Sequence, residues 1–185
     1  MNYELNKKGL LHGALIGLVG ITISLMAYLI SNDAYFSWRS VTVMIVSFVL
    51  LIFLGRKERR ENHNGYLEYG AAYWYCSIAL FIMIYLNEIF YIMVFNVFDP
   101  GLQDVFIEQS VESTEQVFMM FESDQSKIDE TVLEIERELK NTFKPMALLA
   151  HSWQFLMQAM FVGLIAALFL RKNPPLFEEV EEENS

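Results

Sequence analysis

Hydrophobic residues in this chain of 185 residues are concentrated in four long segments. The segments run from Gly9 to Ile30, Val41 to Gly55, Ala71 to Phe98 and Met146 to Leu170. A helix needs about 20 apolar residues to cross a bilayer, and the second segment approaches that length when it is extended through Trp38. Each segment is apolar on all sides, whereas a surface helix has a single apolar stripe. The pattern predicts an all-α membrane protein with four transmembrane helices.

The first segment could instead be a cleaved signal peptide, because Lys7 and Lys8 precede it. Its apolar run is longer than the usual 7–15 residues of a signal peptide, and no A-x-A-like cleavage site follows it. We therefore interpret it as a retained helix.

Between the third and fourth segments, residues 99–144 change to an amphipathic pattern. The stretch "FDPG" ends the third segment, Leu102 to Phe121 is helix-like, and "ESDQS" is typical of a turn. Ser126 with Asp129 resembles a capping box that would start a second helix. One face of that helix carries Ile128, Val132, Ile135, Leu139 and Phe143, and the opposite face carries Glu130, Glu134, Arg137 and Glu138. The pattern predicts an extracytoplasmic helical hairpin at about 100–144. Pro145 then either begins the fourth helix or kinks one continuous helix.

Basic residues predict the orientation in the membrane. Three clusters would share one side of a four-span protein: Lys7 and Lys8; Arg56, Lys57, Arg59 and Arg60; Arg171 and Lys172. Because basic loops stay in the cytoplasm, we expect a multi-pass protein of the cytoplasmic (inner) membrane with both termini cytoplasmic. Residues 1–172 would form one bundle that includes the hairpin, and 173–185 an acidic disordered tail.

Composition changes this picture little but excludes some functions. The chain is 54% hydrophobic and 19% charged, with a net charge of −10. That negative charge argues against nucleic acid as a partner. The single cysteine, Cys76, allows no internal disulfide.

Glu88 is the most unusual residue, because it lies with Asn87 inside an apolar segment where a carboxylate is costly. His151, Gln154 and Gln158 form a polar stripe on the fourth segment. Glu88 lies ten residues from Phe98, and Gln154 lies nine residues from Pro145, so the two are at similar depth. The sequence predicts an intramembrane polar cluster of these five residues, with a contact between Glu88 and Gln154.

Two interpretations of this cluster compete. In the first, hydrogen bonds within it fix how the third and fourth helices pack; in the second, Glu88 handles protons or ions and His151 assists. We favour the first, because relays usually need more than one acid and no other Asp or Glu lies in the four segments.

Glycines at a spacing of four define one face of the first helix, namely Gly9, Gly13 and Gly17. Such a face allows another backbone to approach closely, within the subunit or across a dimer. We expect intramolecular packing, with dimerisation as the alternative.

No catalytic set, metal site or cofactor site is evident. His12 and His151 would be separated by roughly half of the 30 Å membrane core and could not bind the same ion or haem. The sequence has no zinc pattern, phosphate loop or dinucleotide fingerprint. We therefore expect a protein that is not an enzyme and has no cofactor.

The order of several stretches resembles a known family. These are the Gly-rich "GALIGLVGITISLMAYL", the basic loop followed by "NGYLEYGAA", the "FDPG" stretch, the acidic helical loop and the closing "LRKN". Together they resemble the membrane proteins of Bacteroidota grouped as domain of unknown function 4199, from about Leu10 to Asn173. The resemblance implies a small four-helix protein of the inner membrane, with no assigned activity or catalytic residues.

These observations predict an accessory or scaffold subunit that contacts the lipid bilayer and binds an envelope protein, or a second copy, through the hairpin. The alternative is a small transporter or channel subunit that uses Glu88. An enzyme acting on lipid-linked precursors has only the membrane location in its favour.

Overall fold

The computed structural model describes residues 3–31, 35–36, 38–121 and 125–174. Long helices within these ranges are α1 (Tyr3–Ile30), α2 (Arg39–Asn62), α3 (Tyr69–Met93), α4 (Gly101–Phe121), α5 (Gln125–Thr142) and α6 (Pro145–Leu170). Those ranges contain no strand, although Leu67 and Lys172 form an isolated antiparallel bridge. The all-α class predicted from the sequence is confirmed for this part of the chain.

Four of these helices are long and apolar enough to cross a membrane: α1, α2, α3 with its extension to Phe98, and α6. Their most apolar windows have mean hydropathies of 2.2, 1.9, 2.1 and 1.8. The predicted number of candidate spans is therefore confirmed, and α6 begins within one residue of its predicted start.

The four helices form a bundle in which α3 packs extensively against both α1 and α6, while α2 contacts α1 and α6 from the other side. Residues at the centre are fully buried and include Leu51, Tyr75, Cys76, Ala79 and Ala166. We call the end of the bundle where α1 begins and α6 ends the terminal end. The opposite end, where α4 and α5 are attached, is the hairpin end.

The second helix is longer than predicted. The charged stretch after Gly55 was expected to be a loop, but α2 continues to Asn62. Arg, Lys and Glu are good helix formers, and the basic residues of the last turn interact favourably with the helix dipole. The helix ends where Asn64 and Gly65 take the left-handed conformation, with φ of 49° and 81°.

The third helix ends in a π-helical turn, Val94–Phe98. A π turn leaves backbone groups without their usual helical partners. Asn96 donates a side-chain hydrogen bond of 2.8 Å to the Phe143 carbonyl, and Gln103 donates one of 2.8 Å to the Phe95 carbonyl. The turn thereby joins α3 to the segments that follow it.

The amphipathic helices α4 and α5 pack against each other, and α5 buries Ile128 as its predicted apolar face requires. Near the bundle, buried side chains from this pair and from the bundle form one cluster: Tyr35, Val94, Phe95, Leu102, Ile107 and Phe143. Lys144 is extended and Pro145 begins α6, so α5 and α6 are not one kinked helix. Three predictions lie outside what the structure describes, namely the turn at 122–124, the capping side chain at 126 and the tail residues 175–185.

Candidate functional site

Glu88 lies half-buried on α3, near the hairpin end of the bundle. The Arg39 guanidinium, from the first residue of α2, and the His151 ring, from α6, are its electrostatic neighbours. Three helices therefore bring one acidic and two basic or titratable groups together. The sequence pointed to His151 but gave no sign that Arg39 acts on Glu88.

The Arg39 guanidinium lies over two aromatic rings. Its guanidinium carbon lies 4.9 Å from the centroid of the Tyr35 ring and 4.8 Å from that of the Tyr91 ring. A cation over an aromatic face is attracted by the negative face of the ring. Burial raises the pKa of Tyr35, although the nearby Arg39 acts in the opposite direction. Tyr35 thus remains a neutral phenol in the physiological range.

The two glutamines predicted for this cluster lie elsewhere. Gln154 and Gln158 are exposed on the surface of the bundle, so the expected contact between Glu88 and Gln154 is not formed. The rotation of α6 explains this, because small residues at Ala159 and Gly163 form its buried seam. At 3.6 residues per turn, Gln154 points about 140° away from Ala159.

Asn87 contacts α1 rather than α6. Its side-chain nitrogen donates hydrogen bonds of 2.9 Å to the Met83 carbonyl and 3.4 Å to the Gly17 carbonyl. A Cβ at Gly20 would lie 2.7 Å from the Asn87 side-chain oxygen, so that glycine makes room for the amide. Asn87 and Glu88 are neighbours in sequence but serve two different helix interfaces.

The glycine face of α1 packs against α3 within the same chain. A Cβ at Gly13 would lie 2.9 Å from the Cα of Ala79, and one at Gly9 would lie 3.1 Å from the Tyr75 carbonyl oxygen. At Gly17 the added atom would lie 2.9 Å from a Leu86 methyl carbon. These glycines therefore form an intramolecular interface, the packing arrangement that we expected.

A second polar cluster lies at the terminal end of the bundle. Glu58 is only 6% exposed, and its carboxylate lies 4.0 Å from the Lys8 ammonium. Asn62 donates a hydrogen bond of 2.9 Å to the same carboxylate. The His12 ring nitrogen Nδ1 and the Tyr75 hydroxyl are 2.7 Å apart, and Glu58 acts electrostatically on both groups.

Sequence reasoning missed Glu58, because it lies in a basic stretch that served to assign the orientation. A signal was nevertheless present. Ser47, Leu51, Gly55 and Glu58 follow spacings of four, four and three, which place Glu58 on the buried face of α2.

The two polar clusters are separated by an apolar layer. Along α3, Tyr75 and Asn87 are twelve residues apart, which corresponds to about 18 Å. The intervening core residues Ala79, Leu80 and Met83 are buried and apolar. Among the described residues, no group of three or more His, Cys, Asp or Glu side chains could hold a metal ion. Chemically, the terminal cluster can fasten helices by ion pairing and hydrogen bonding, and the groups around Glu88 can do so by electrostatic attraction.

Large apolar side chains cover the outside of the bundle, including Leu29, Met44, Phe53 and Phe161, each at least 64% exposed. A bundle with an apolar surface and polar contacts inside is the organisation of an integral membrane protein. The chain belongs to the family described as "Protein of unknown function (DUF4199)", whose sequence profile matches residues 11–172. This match confirms the resemblance to that family. No curated protein matches the chain, and no solved structure matches it.

Proposed function

We propose that this is a non-enzymatic protein of the cytoplasmic membrane that acts as an accessory or scaffold subunit. In this proposal the α4–α5 pair lies outside the cytoplasm and binds a protein partner in the cell envelope. The observation that carries the proposal is an exposed apolar segment at the far end of α4.

This segment, which we call the apolar tip, comprises Val117, Phe118, Met119 and Met120. Their exposed fractions are 52%, 36%, 53% and 77%. Four consecutive helical residues point in four directions about 100° apart, so packing on α5 cannot cover all of them. The tip lies about 20 Å along α4 from Phe106, which packs with the cluster at the hairpin end. Apolar side chains exposed together on an otherwise charged element are typical of a protein contact.

Charge around the apolar tip favours a particular class of partner. Residues 99–144 include twelve acidic and four basic side chains. A second copy of the chain would bring like charges together, whereas a partner with basic residues around an apolar patch would be attracted. We therefore favour a basic envelope protein over self-association.

The assignment of α4 and α5 to the extracytoplasmic side is supported by the basic clusters. These clusters lie at the terminal end of the bundle, and basic residues favour the cytoplasmic side of a membrane. The hairpin end would then face outwards.

The alternative function, transport through Glu88, has weaker support. Arg39 acts electrostatically on Glu88 as a fixed positive charge, which favours a structural role for the carboxylate over repeated binding and release of protons. The apolar layer of Ala79, Leu80 and Met83 also separates Glu88 from the second polar cluster. Both observations favour helix packing as the role of Glu88.

Site-specific photo-crosslinking in intact cells tests the proposed function. A photoreactive amino acid at Met120 should give one defined crosslinked protein, and purification in mild detergent should recover the same protein. The matched control carries the photoreactive amino acid at Glu134, an exposed position on α5. Phe118→Asp should abolish the complex, and high salt should weaken it.

Crosslinks only to lipid, only to a second copy, or equally from both positions would contradict the proposal. A strictly monomeric protein in mild detergent, with no crosslinked product, would contradict it as well.

A further inference from the structure

A groove of about 410 Å³ opens between α1 and α6 and has α3 as its floor. It exists because α1 and α6 both pack closely on α3 but make no extensive contact with each other. Most of its walls are apolar, including Leu10, Ile78, Phe81, Ile82, Leu156 and Met160. Its volume falls within the range of small-ligand sites, and its open side lies on the exposed apolar surface of the bundle.

The groove has a polar end. Lys7 and Asn6 line it at the terminal end of the bundle, together with Trp74. Lys7 is exposed, so its ammonium is available to a ligand. Lysine and tryptophan near the end of a spanning helix are typical of the level of lipid head groups. The groove therefore combines an apolar channel with a cation at head-group depth.

Ser77 lies at the edge of this groove, where α3 meets α6. Its side chain is 4% exposed, and its hydroxyl oxygen is buried. That oxygen packs against Gly163 of α6, close to the position that a Cβ on this glycine would occupy. Ser77 therefore closes the seam between α3 and α6, and polar recognition of a ligand falls to Lys7 and Asn6 at the end of the groove.

The helix register sets the depth of Lys7 relative to the apolar lining. Gly9 contacts Tyr75 and Ile78 on α3, which runs parallel to α1. Lys7 is therefore level with about Trp74, and Ile78 and Phe81 lie roughly 6 and 10 Å deeper. The acyl chains of a phospholipid lie below its phosphate in the same order.

We propose that this groove binds an anionic phospholipid. One acyl chain occupies the apolar channel, and the anionic head group pairs with Lys7. This site is distinct from the apolar tip of α4 and does not depend on the proposed function.

Fluorescence quenching by brominated lipids tests this site directly. Among the three tryptophans, Trp74 lines the groove, so Trp38→Phe with Trp153→Phe leaves it as the single reporter. The full-length protein is reconstituted into vesicles that mix phosphatidylglycerol and phosphatidylcholine. Two preparations are compared. In one the phosphatidylglycerol carries bromine on its acyl chains, and in the other the phosphatidylcholine does. We expect brominated phosphatidylglycerol to quench Trp74 more strongly than brominated phosphatidylcholine at the same mole fraction.

Lys7→Ala should reduce this preference about fivefold, as expected from about 1 kcal/mol per basic residue at an anionic membrane surface. Lys57→Ala is the matched control, because it removes the same charge at the same end of the bundle but lies outside the groove lining. It should leave the preference unchanged.

Equal quenching of the parent protein by both lipids would overturn the proposal, since ordinary surrounding lipid behaves in that way. An equal loss of preference in Lys7→Ala and Lys57→Ala would also overturn it, because general surface charge would then be the cause.

Discussion

The Arg59 guanidinium donates a hydrogen bond of 2.7 Å to the backbone oxygen of Leu170, which joins the last turn of α2 to the last residue of α6. The carbonyls at the end of a helix have no intrahelical partner and carry partial negative charge. A cation that binds one of them stabilises both the helix end and its position in the bundle. The neighbouring bridge between Leu67 and Lys172 fastens the same end of α6 to the segment after α2.

Arg59→Ala should therefore destabilise the bundle by about 2 kcal/mol, the usual magnitude for a hydrogen bond to a charged group. The measurement is thermal or denaturant unfolding of the purified protein in mild detergent. Arg60→Ala is the control, because Arg60 is exposed on the next position of the same helix. Equal stabilities of the two variants would show that the Arg59 contact contributes nothing.

Gly13 gives a second prediction, because its backbone lies against that of Ala79. In Gly13→Ala the new methyl carbon would lie 2.9 Å from the Ala79 Cα, so the helices must separate. We expect a loss of about 1–3 kcal/mol in unfolding free energy, the usual cost of overpacking. Gly70→Ala is the control, since no atom lies within 4 Å of a Cβ at that position.

In detergent, the unfolding free energy of Gly70→Ala should thus equal or exceed that of the parent protein, and that of Gly13→Ala should be clearly lower. If Gly13→Ala is as stable as the parent, the close packing of α1 on α3 is wrong.

Arg39 and Glu88 give a third prediction, through a double-mutant cycle. Arg39→Gln and Glu88→Gln should each destabilise the protein, but the double variant should lose less than the sum of the two. A coupling of about 1 kcal/mol is expected for side chains in one network. The measurement is the unfolding free energy of all four proteins under the same detergent conditions.

The control cycle combines Glu88→Gln with Arg56→Gln instead of Arg39→Gln. Arg56 is an exposed residue seventeen positions further along α2. It lies about 25 Å from Arg39 and so at the other end of the bundle from Glu88, and the effects of the two substitutions should add. Additivity in both cycles would show that Arg39 does not stabilise the Glu88 carboxylate.

The spans were predictable because membrane insertion depends on the length of an apolar run, which is a local property of the sequence. The fourth segment was predicted as Met146 to Leu170 and is observed as Pro145–Leu170. The ends of α1 and α2 were less accurate, because Tyr3 to Lys8 and Arg56 to Asn62 are polar yet helical. Hydropathy detects where a helix is apolar, whereas hydrogen bonding and helix propensity decide where it ends.

The candidate site was predictable in depth but not in direction. Counting residues at 1.5 Å each placed Glu88 level with Gln154, one turn from His151, and Glu88 and His151 are electrostatic neighbours. Gln154 failed as a partner because the rotation of α6 depends on its packing against α3 at Gly163. Rotation is a property of the assembled bundle, so the sequence of one helix does not determine it.

The proposed orientation gives a fourth prediction, which can be tested by labelling cysteines in intact cells. Glu134→Cys places a thiol on α5, and Lys57→Cys places one on the basic end of α2. Both positions are exposed. A thiol reagent that cannot cross the cytoplasmic membrane should label Glu134→Cys alone, and permeabilisation should make Lys57→Cys reactive as well. The native Cys76 is 0% exposed, so the parent protein should remain unlabelled in folded form.

The reverse labelling pattern would place α4 and α5 in the cytoplasm. The charge distribution would then have failed to set the topology, and the apolar tip would have to bind a cytoplasmic protein instead of an envelope protein.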